Sequence, residues 1–447
     1  MLKKKIYFMG FLALVSLASC KKFLDLKPKT DIGESVALNT KDRIQRALTG
    51  AYSRFQVQEY YGFEWSNAVW LSDDNVTSFG AGTTDLQFDN HEVLASSNTI
   101  EINWRAMYQA VNATNNVIDA TQTVNDPSFT QAEKDNVAGQ AYFLRALVYF
   151  DMVRTWGGVP LVLTPTRGYD PSSVSVKRST VAEVYAQILK DLDAAESKMP
   201  DTHDRNIATR KAAQALKAKV YLYLQDWANA EKYATIVITD NAYTLMKPFD
   251  NLVTVKANAE SIFELDYNPT DGNFLAGAFY PTDMGGGYRV GPSNEITSIL
   301  KDPTQGGDRK TLIAYDNGNV YGNRYREVGS GKNDDNYAVL RLAEMYLIRA
   351  EARAHQNNIQ GGLDDLNVIR NRANAPLVSA TTAADLLQSI ENENRMEFAL
   401  EPHRWFDLIR TGRAAAVLGV TDIRKYVFPI PTTEIVANPN LSQNPGY

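Results

Sequence analysis

From residue 41 onward the apolar positions recur mostly every three or four residues, the interval of a helix with one buried face. The run KDRIQRALTGAYSRFQ (41–56) gathers Ile44, Leu48, Ala51, Tyr52 and Phe55 on one side. EINWRAMYQAVNATNNVIDA (101–120) does the same with Ile102, Trp104, Tyr108, Val111 and Ile118. STVAEVYAQILKDLDAAESKMP (179–200) predicts a further helical pair, with Ser179 or Thr180 as N-cap and Pro200 as its stop. Helices are predicted again over 337–374 and 383–411. A short pattern repeats as ALVYF (146–150), AKVYL (218–222) and AEMYL (343–347). A tight turn and DWANAEKYATIVI (226–238) follow the second copy, and GGLDDLNVIRNRA (361–373) follows the third. Small alanines such as Ala230 and Ala234, set against Tyr and Leu of a neighbouring helix, let two helices approach closely. This is the packing of tetratricopeptide-type hairpins. The copies start 72 and then 125 residues apart, so the array is interrupted.

Two stretches break the helical period. EYYGFEWSNAVWLSDDNVTSFGAGTTDLQFDNHE (59–92) is aromatic and irregular. From 241 to 336 Gly, Asn, Asp and Tyr dominate, and only SIFELDYN (261–268) alternates like a strand. Long loops on a rigid frame are where function concentrates. The predicted fold is therefore mostly α: tetratricopeptide-like helix pairs form a superhelical scaffold with an irregular, loop-rich subdomain and a few short strands. The predicted organisation is an N-terminal helical scaffold over 41–240 with a ligand loop at 59–92. A ligand-binding insertion at 241–336 follows, then C-terminal helices and an extended proline-bearing tail over 337–447.

The chain front is different. Lys3, Lys4 and Lys5 precede an apolar run from Ile6 to Leu17, too short to span a bilayer, which takes about 20 residues. Leu17-Ala18-Ser19-Cys20 then fits a bacterial lipobox, so residues 1–19 are predicted to be a lipoprotein signal peptide. Cys20, the single cysteine, is the predicted lipidation site, and 20–40 a tether. A lone thiol has no intramolecular disulfide partner. Two or three acyl chains would anchor the protein stably where one would not.

Charge and composition narrow the chemistry. The formal net charge is −6, and without the leader 43 basic residues face 52 acidic ones. Such a surface repels phosphate backbones, so nucleic acid is excluded as a partner. The four histidines (His91, His203, His355, His403) show no paired spacing, so neither a zinc site nor a cofactor is predicted. GSGKN (329–333) lacks the earlier glycine and the hydroxyl residue of a phosphate loop. GGGYRVG (285–291) misses the dinucleotide pattern. Asp73, Asp74 and Asp283 could serve a glycosidase, since its two carboxylates need not be adjacent in sequence. Helix caps, loop hydrogen bonds or solvated charge explain them better. Glu397, Glu401, Arg404, Asp407 and Arg410 sit at helical spacings that predict local ion pairs.

Several segments together resemble the SusD/RagB-type lipoproteins of Bacteroidetes. GQAYFLRALVYFDMVRTWGGVPL (139–161) looks like that family's most recognisable helix, and WRAMYQAVNATNNVI (104–118) like its Trp-x-x-x-Tyr helix. LRLAEMYLIRAEA (340–352), RMEFALEPHRWFDLIRTGR (395–413), the FPIP…NPNLSQNPGY tail and CKKFLDLKP also match in the family's order. Pro402 and Asn394 depart from it, where Gly and Glu are usual. The resemblance implies a binding protein, not an enzyme. It would sit on the cell surface at the outer membrane, held only by its lipid, and capture glycans or in some cases peptides. It would deliver them to a TonB-dependent (SusC-like) transporter. A helical scaffold binding only protein or peptide, and less so a glycoside hydrolase, are the alternatives. Sugar rings need flat aromatic faces with Asn, Asp and Arg at the rim. The candidate ligand-binding residues are thus Trp65, Asp73, Asn75 and Phe79 in the first irregular segment. In the second they are Tyr280, Tyr288, Arg289, Tyr321 and Tyr325.

Overall fold

The helices predicted from periodicity form the frame of the protein in a computed structural model, which describes residues 38–80, 82–168, 175–329 and 332–447. Cys20, the leader and nearly all of the tether lie outside the described residues. In chain order the main helices are α1 (Lys41–Gln56), α2 (Glu64–Leu71), α3 (Thr83–Asp89), α4 (Asn98–Thr123) and α5 (Gln131–Trp156). Next come α6 (Val181–Lys198), α7 (Arg210–Tyr223), α8 (Trp227–Ile238) and α9 (Asn294–Lys301). The last are α10 (Leu342–His355), α11 (Ile359–Arg372), α12 (Ala383–Glu397) and α13 (Arg404–Arg410). Among the described residues no helix is long and apolar enough to cross a membrane.

Local chemistry sets the helix ends. Thr130 and Thr180 each close a capping box, with Glu133 and Glu183 three residues on, so α5 and α6 start where their hydroxyls satisfy free N–H groups. Of the two caps predicted for α6, Thr180 is the one used. Each helix then packs on its successor: α4 on α5, α5 on α6, α6 on α7, α7 on α8, α8 on α10, and α10 on α11. Residues 179–200 thus give one helix that pairs with its neighbours, not a pair by themselves. The alanine logic holds in atoms, since Ala230 and Ala234 are fully buried in α8. At the next hairpin Gly362 lets α11 close on α10, because a Cβ there would lie 2.8 Å from the Ala350 carbonyl oxygen.

Three two-stranded antiparallel sheets serve the irregular segments. β1 (Val76–Ser78) pairs with β3 (Val290–Pro292), β2 (Ser261–Leu265) with β6 (Tyr337–Arg341), and β4 (Ile313–Asp316) with β5 (Asn319–Gly322). The predicted strand at 261–268 exists as β2, but all five of its residues are buried. Its partner β6 lies at the far end of the loop-rich stretch, so the β2–β6 pair joins the two ends of that stretch at its base.

The 59–92 stretch is less irregular than its composition predicts. It holds a wide turn at Gln58–Gly62, then α2, β1 and α3. Its aromatics go inward because their polar ends find buried partners: Tyr60 and Tyr61 both donate to Asp151 of α5. The predicted 383–411 helix is broken into α12 and α13 by a bend at 398–403 that contains Pro402. The tail carries a short helix at Thr432–Ala437.

That bend overturns most of the predicted local ion pairs. Only Asp407 and Arg410 pair within their own helix, at 2.8 Å. Glu397 reaches instead to Arg309 (2.7 Å), Arg341 (2.6 Å) and Arg372. Glu401 binds Arg324 (3.2 Å) and Arg341 (3.1 Å). Glu393 accepts from Arg309 and Arg370, and Glu260 from Arg341 and Arg372. Arg404 pairs with Asp74 and Arg410 with Glu351. These side chains are almost fully buried, so the lattice ties the loop-rich stretch to α11 and α12.

Beside it, Glu344 of α10 lies 2.7 Å from Lys219 and 3.1 Å from His403. Burial pushes its carboxyl up, but its contacts with Lys219 and His403 outweigh that and hold it at about 2. A carboxylate depressed in the folded state stabilises the fold above its unfolded value and stops doing so as pH falls through the folded one. The stability gap between wild type and Glu344→Gln should therefore be full near pH 6 and shrink steadily between about pH 4.5 and 2. Urea unfolding at stepped pH reads this directly. A gap that stays constant across that window means Glu344 is not held ionised by its partners.

Candidate ligand-binding site

The β1–β3 pair brings the two irregular segments together, although they lie more than 200 residues apart in the chain. Past the end of β1, Phe79 N–H donates to the Arg289 carbonyl at 3.0 Å. The Phe79 and Tyr288 rings then meet, with centroids 4.8 Å apart and planes tilted by 43°. Phe79 is 40% exposed and Tyr288 half-buried. Close by, Gly287 lies against the Phe274 ring, which is 36% exposed. Phe274 was not among the predicted residues. Its segment has the same Gly-Asn-aromatic composition as Tyr288, so the signal was present but did not single it out.

Tyr288 is held in an uncommon conformation. Its φ is +44°, in the left-handed region that bulky residues rarely occupy. Its N–H donates to the Tyr280 carbonyl at 2.9 Å and its hydroxyl to the Val320 carbonyl at 3.0 Å. Such a conformation costs about 1–3 kcal/mol and persists only where the surroundings over-determine it, a situation concentrated at functional sites. Tyr280 and Tyr321 lie next to it, rings 4.7 Å apart, both mostly buried. The Tyr280 hydroxyl donates to Asn323 Oδ1 at 2.8 Å.

Arg289 supports the pair from below. Its guanidinium donates to both Asp85 carboxylate oxygens, at 2.6 and 2.7 Å, and lies 3.6 Å from Glu64. It also sits over the Phe63 ring at 4.9 Å. The Asp85 carboxylate holds the guanidinium above its usual range, and burial opposes this.

Phe79, Tyr288 and Arg289 are thus brought together at the surface with Tyr280 and Tyr321 buried beside them, and the structure places the other four candidates elsewhere. Trp65 is buried and donates to Thr155 Oγ1 at 3.1 Å. Tyr325 is buried between Trp70 and Tyr337. Neither offers a ring face to a ligand, because in both the flat surface is used in core packing. Asp73 accepts from the Asn75 and Val76 N–H groups, and burial followed by the neighbouring Asp74 charge pushes its carboxyl well up. Asn75 exchanges hydrogen bonds with Arg395. Asp73 thus braces its own loop, and Asn75 fastens that loop to α12. Asp74, ion-paired to Arg395 and Arg404 at 2.8 Å each, does the same.

Gly291 of β3 is what lets Phe79 lie flat. A Cβ there would stand 2.1 Å from the Phe79 ring. We expect Gly291→Ala to swing this exposed ring aside at a stability cost under about 1 kcal/mol, since only a side-chain end must move. Ligand binding should fall with it. Equal binding by the variant would remove Phe79 from the site.

Two other features lie away from this cluster. A groove of about 450 Å³ between the helices is lined by Trp227, His355, Leu387, Leu408 and paired charges such as Glu391 with Arg413. Asp201, His203 and Asp240 converge closely enough to hold a cation, although the sequence spacing gave no such signal. The Lys211 ammonium already lies 3.3 Å from both carboxylates.

Comparison with known proteins assigns the chain. A model described as "Starch-binding associating with outer membrane", of the SusD-like type, matches residues 22–222. A second, described as "SusD family", matches 301–422. A SusD-like protein of Bacteroides ovatus is 24% identical, covering 91% of this chain and 82% of its own length. The starch-binding protein SusD of Bacteroides thetaiotaomicron is 26% identical, covering 71% of this chain and 74% of its own. A crystal structure of a SusD superfamily protein from Bacteroides thetaiotaomicron superposes with a TM-score of 0.80 at 26% identity, covering 92% of this chain and all of the other. A laminarin-binding SusD-like protein does so with a TM-score of 0.78 at 25% identity over the same shares. With residues 22–222 matched by a SusD-like model, residues 301–422 by the SusD family model, and 92% of the chain superposing on a solved SusD superfamily protein, the chain belongs to the SusD/RagB family.

Proposed function

We propose that the protein captures glycans at the Phe79–Tyr288 cluster and passes them to a TonB-dependent outer-membrane transporter. The observation that carries this is the exposed, tilted aromatic pair, with Tyr288 held by two hydrogen bonds in an unfavourable backbone conformation. Flat apolar ring faces suit the C–H faces of pyranose rings, and the neighbouring Asn and Tyr groups suit hydroxyls. The starch-binding and laminarin-binding relatives support the ligand class. The family description supports attachment at the outer membrane. Lipidation of Cys20, display on the outer face and delivery to a SusC-like partner follow from the sequence and from the resemblance.

The protein acts as a binder and not as a hydrolase. Of the three carboxylates first considered for catalysis, Asp74 is committed to two arginines and Asp73 to backbone N–H groups inside the fold, while Asp283 stays exposed and accepts from the Asn317 amide. The test is affinity electrophoresis through gels containing different polysaccharides, with a reducing-end assay on the same mixtures. Retardation without new reducing ends is the expected result. New reducing ends would establish hydrolysis. Retardation in no gel would favour the protein- or peptide-binding scaffold, and capture of a membrane partner would then decide.

A further inference from the structure

The charges around the aromatic cluster bear on which glycans it takes, given the capture reading above. The nearest cation is Arg289, and it is already engaged. It is bidentate to Asp85 and faces Glu64 as a second carboxylate, so this group carries a net negative charge. An anionic sugar would meet a guanidinium whose Nε and Nη2 are held in a charge-assisted fork to Asp85 and whose Nη1 faces the Glu64 carboxylate.

On the other side of Tyr288 stands the β4–β5 hairpin, which accepts the Tyr288 hydroxyl at Val320. Its turn residue Asn317 donates to Asp283 Oδ2 at 3.2 Å and to Asp316 Oδ2 at 3.0 Å, holding two carboxylates side by side. Asp283 is exposed and Asp316 half-buried. Neither forms an ion pair among the described residues. The nearby Lys301 sits over the Tyr315 ring at 5.0 Å, and strand alternation puts Tyr315 on the opposite face of β4 from Asp316. The Lys332 ammonium lies against Glu327.

We infer that the site selects uncharged glycans and rejects uronate- or sulfate-bearing ones, with Asp283 and Asp316 as specificity-determining carboxylates. The physical basis is that like charges a few ångströms apart near a protein surface repel appreciably, and salt weakens the repulsion. The carboxylates need not touch the ligand to act, and a neutral chain is indifferent to them.

Isothermal titration of the full-length protein in detergent tests this, using laminarin, soluble starch and pullulan as neutral probes and alginate and polygalacturonate as anionic ones. At low salt the anionic probes should bind at least about tenfold more weakly than the best neutral one. The gap should narrow at high salt, where the screening length falls to about 3 Å. The double variant D283N/D316N should raise affinity for alginate about tenfold at low salt and leave neutral binding within about twofold. Both positions are at the surface, and an unchanged melting temperature confirms the fold. Alginate binding as tight as the neutral probes, or a gap that the double variant leaves intact, overturns the specificity while glycan capture stands. Binding of neither class overturns the capture reading and this one with it.

Discussion

Arg341→Met should destabilise the protein by about 3–5 kcal/mol, the range for removing one member of a buried ion-pair network. Arg341 is 1% exposed and serves three glutamates: Glu260 at 3.0 Å, Glu397 at 2.6 Å and Glu401 at 3.1 Å. It also donates to the Glu397 carbonyl and lies over the Phe398 ring at 4.1 Å. Burial pushes the Glu397 carboxyl up, and Arg372, Arg309 and Arg341 together bring it well below the usual carboxylate range. Removing Arg341 leaves Glu260, Glu397 and Glu401 each one cation short inside the fold, although Arg372, Arg309 and Arg324 remain beside them. Urea denaturation measures the loss as a shift in midpoint at constant slope. Arg341→Lys keeps the charge but not the fork, and should fall between the two. A loss below about 1 kcal/mol for Arg341→Met would show that the lattice relaxes around the gap and does not fasten the segments.

The second large effect concerns the ligand. Phe79→Ala and Tyr288→Ala should each weaken glycan binding by about 10- to 100-fold, the range for removing an aromatic anchor from a binding surface. Phe79→Ala should leave stability nearly unchanged, because the ring is 40% exposed. Tyr288→Ala keeps the left-handed strain, since alanine too carries a Cβ, and loses the ring packing and the hydroxyl's hydrogen bond to Val320, so it should lower stability as well as affinity. Trp65→Phe is the contrasting variant. It loses the hydrogen bond to Thr155 in the core, so it should lower stability and spare affinity. Titration calorimetry on the best polysaccharide, paired with melting curves, separates the two outcomes. Full binding by both alanine variants would move the site away from the β1–β3 ribbon.

Much of the frame was legible because helices announce themselves locally. The 41–56 helix occupies the residues its period predicted, and Thr180 caps α6 through a capping box written in four residues. The aromatic segments were harder. Trp65, Tyr325 and Tyr288 all lie in stretches of similar composition, and nothing local says which ring faces out. The answer depends on distant partners: Thr155 for Trp65, and Val320 for Tyr288. Asp73 and Asn75 looked like ligand groups because short polar side chains in a loop suit either role. Only Arg395, some 320 residues away, shows that Asn75 is a fastening. The C-terminal charges failed for a related reason. Spacing counts along one continuous helix, and the bend at 398–403 sends Glu397 and Glu401 to arginines 25–88 residues upstream.

The arginine–glutamate lattice also sets an order of events. Arg309 and Arg324 precede their glutamate partners by 77–88 positions. As the chain is made and exported from its N-terminus, α4 and α5 can find each other early, but these arginines must wait. Until residues 393–401 arrive, the loop-rich stretch has its cations and lacks their counter-charges. Closing loops of that length is slow compared with forming a helical hairpin. The ligand-bearing surface is therefore the last part of the molecule to mature, and a chain halted before residue 393 would present a settled helical half with an unfinished face exposed to proteases.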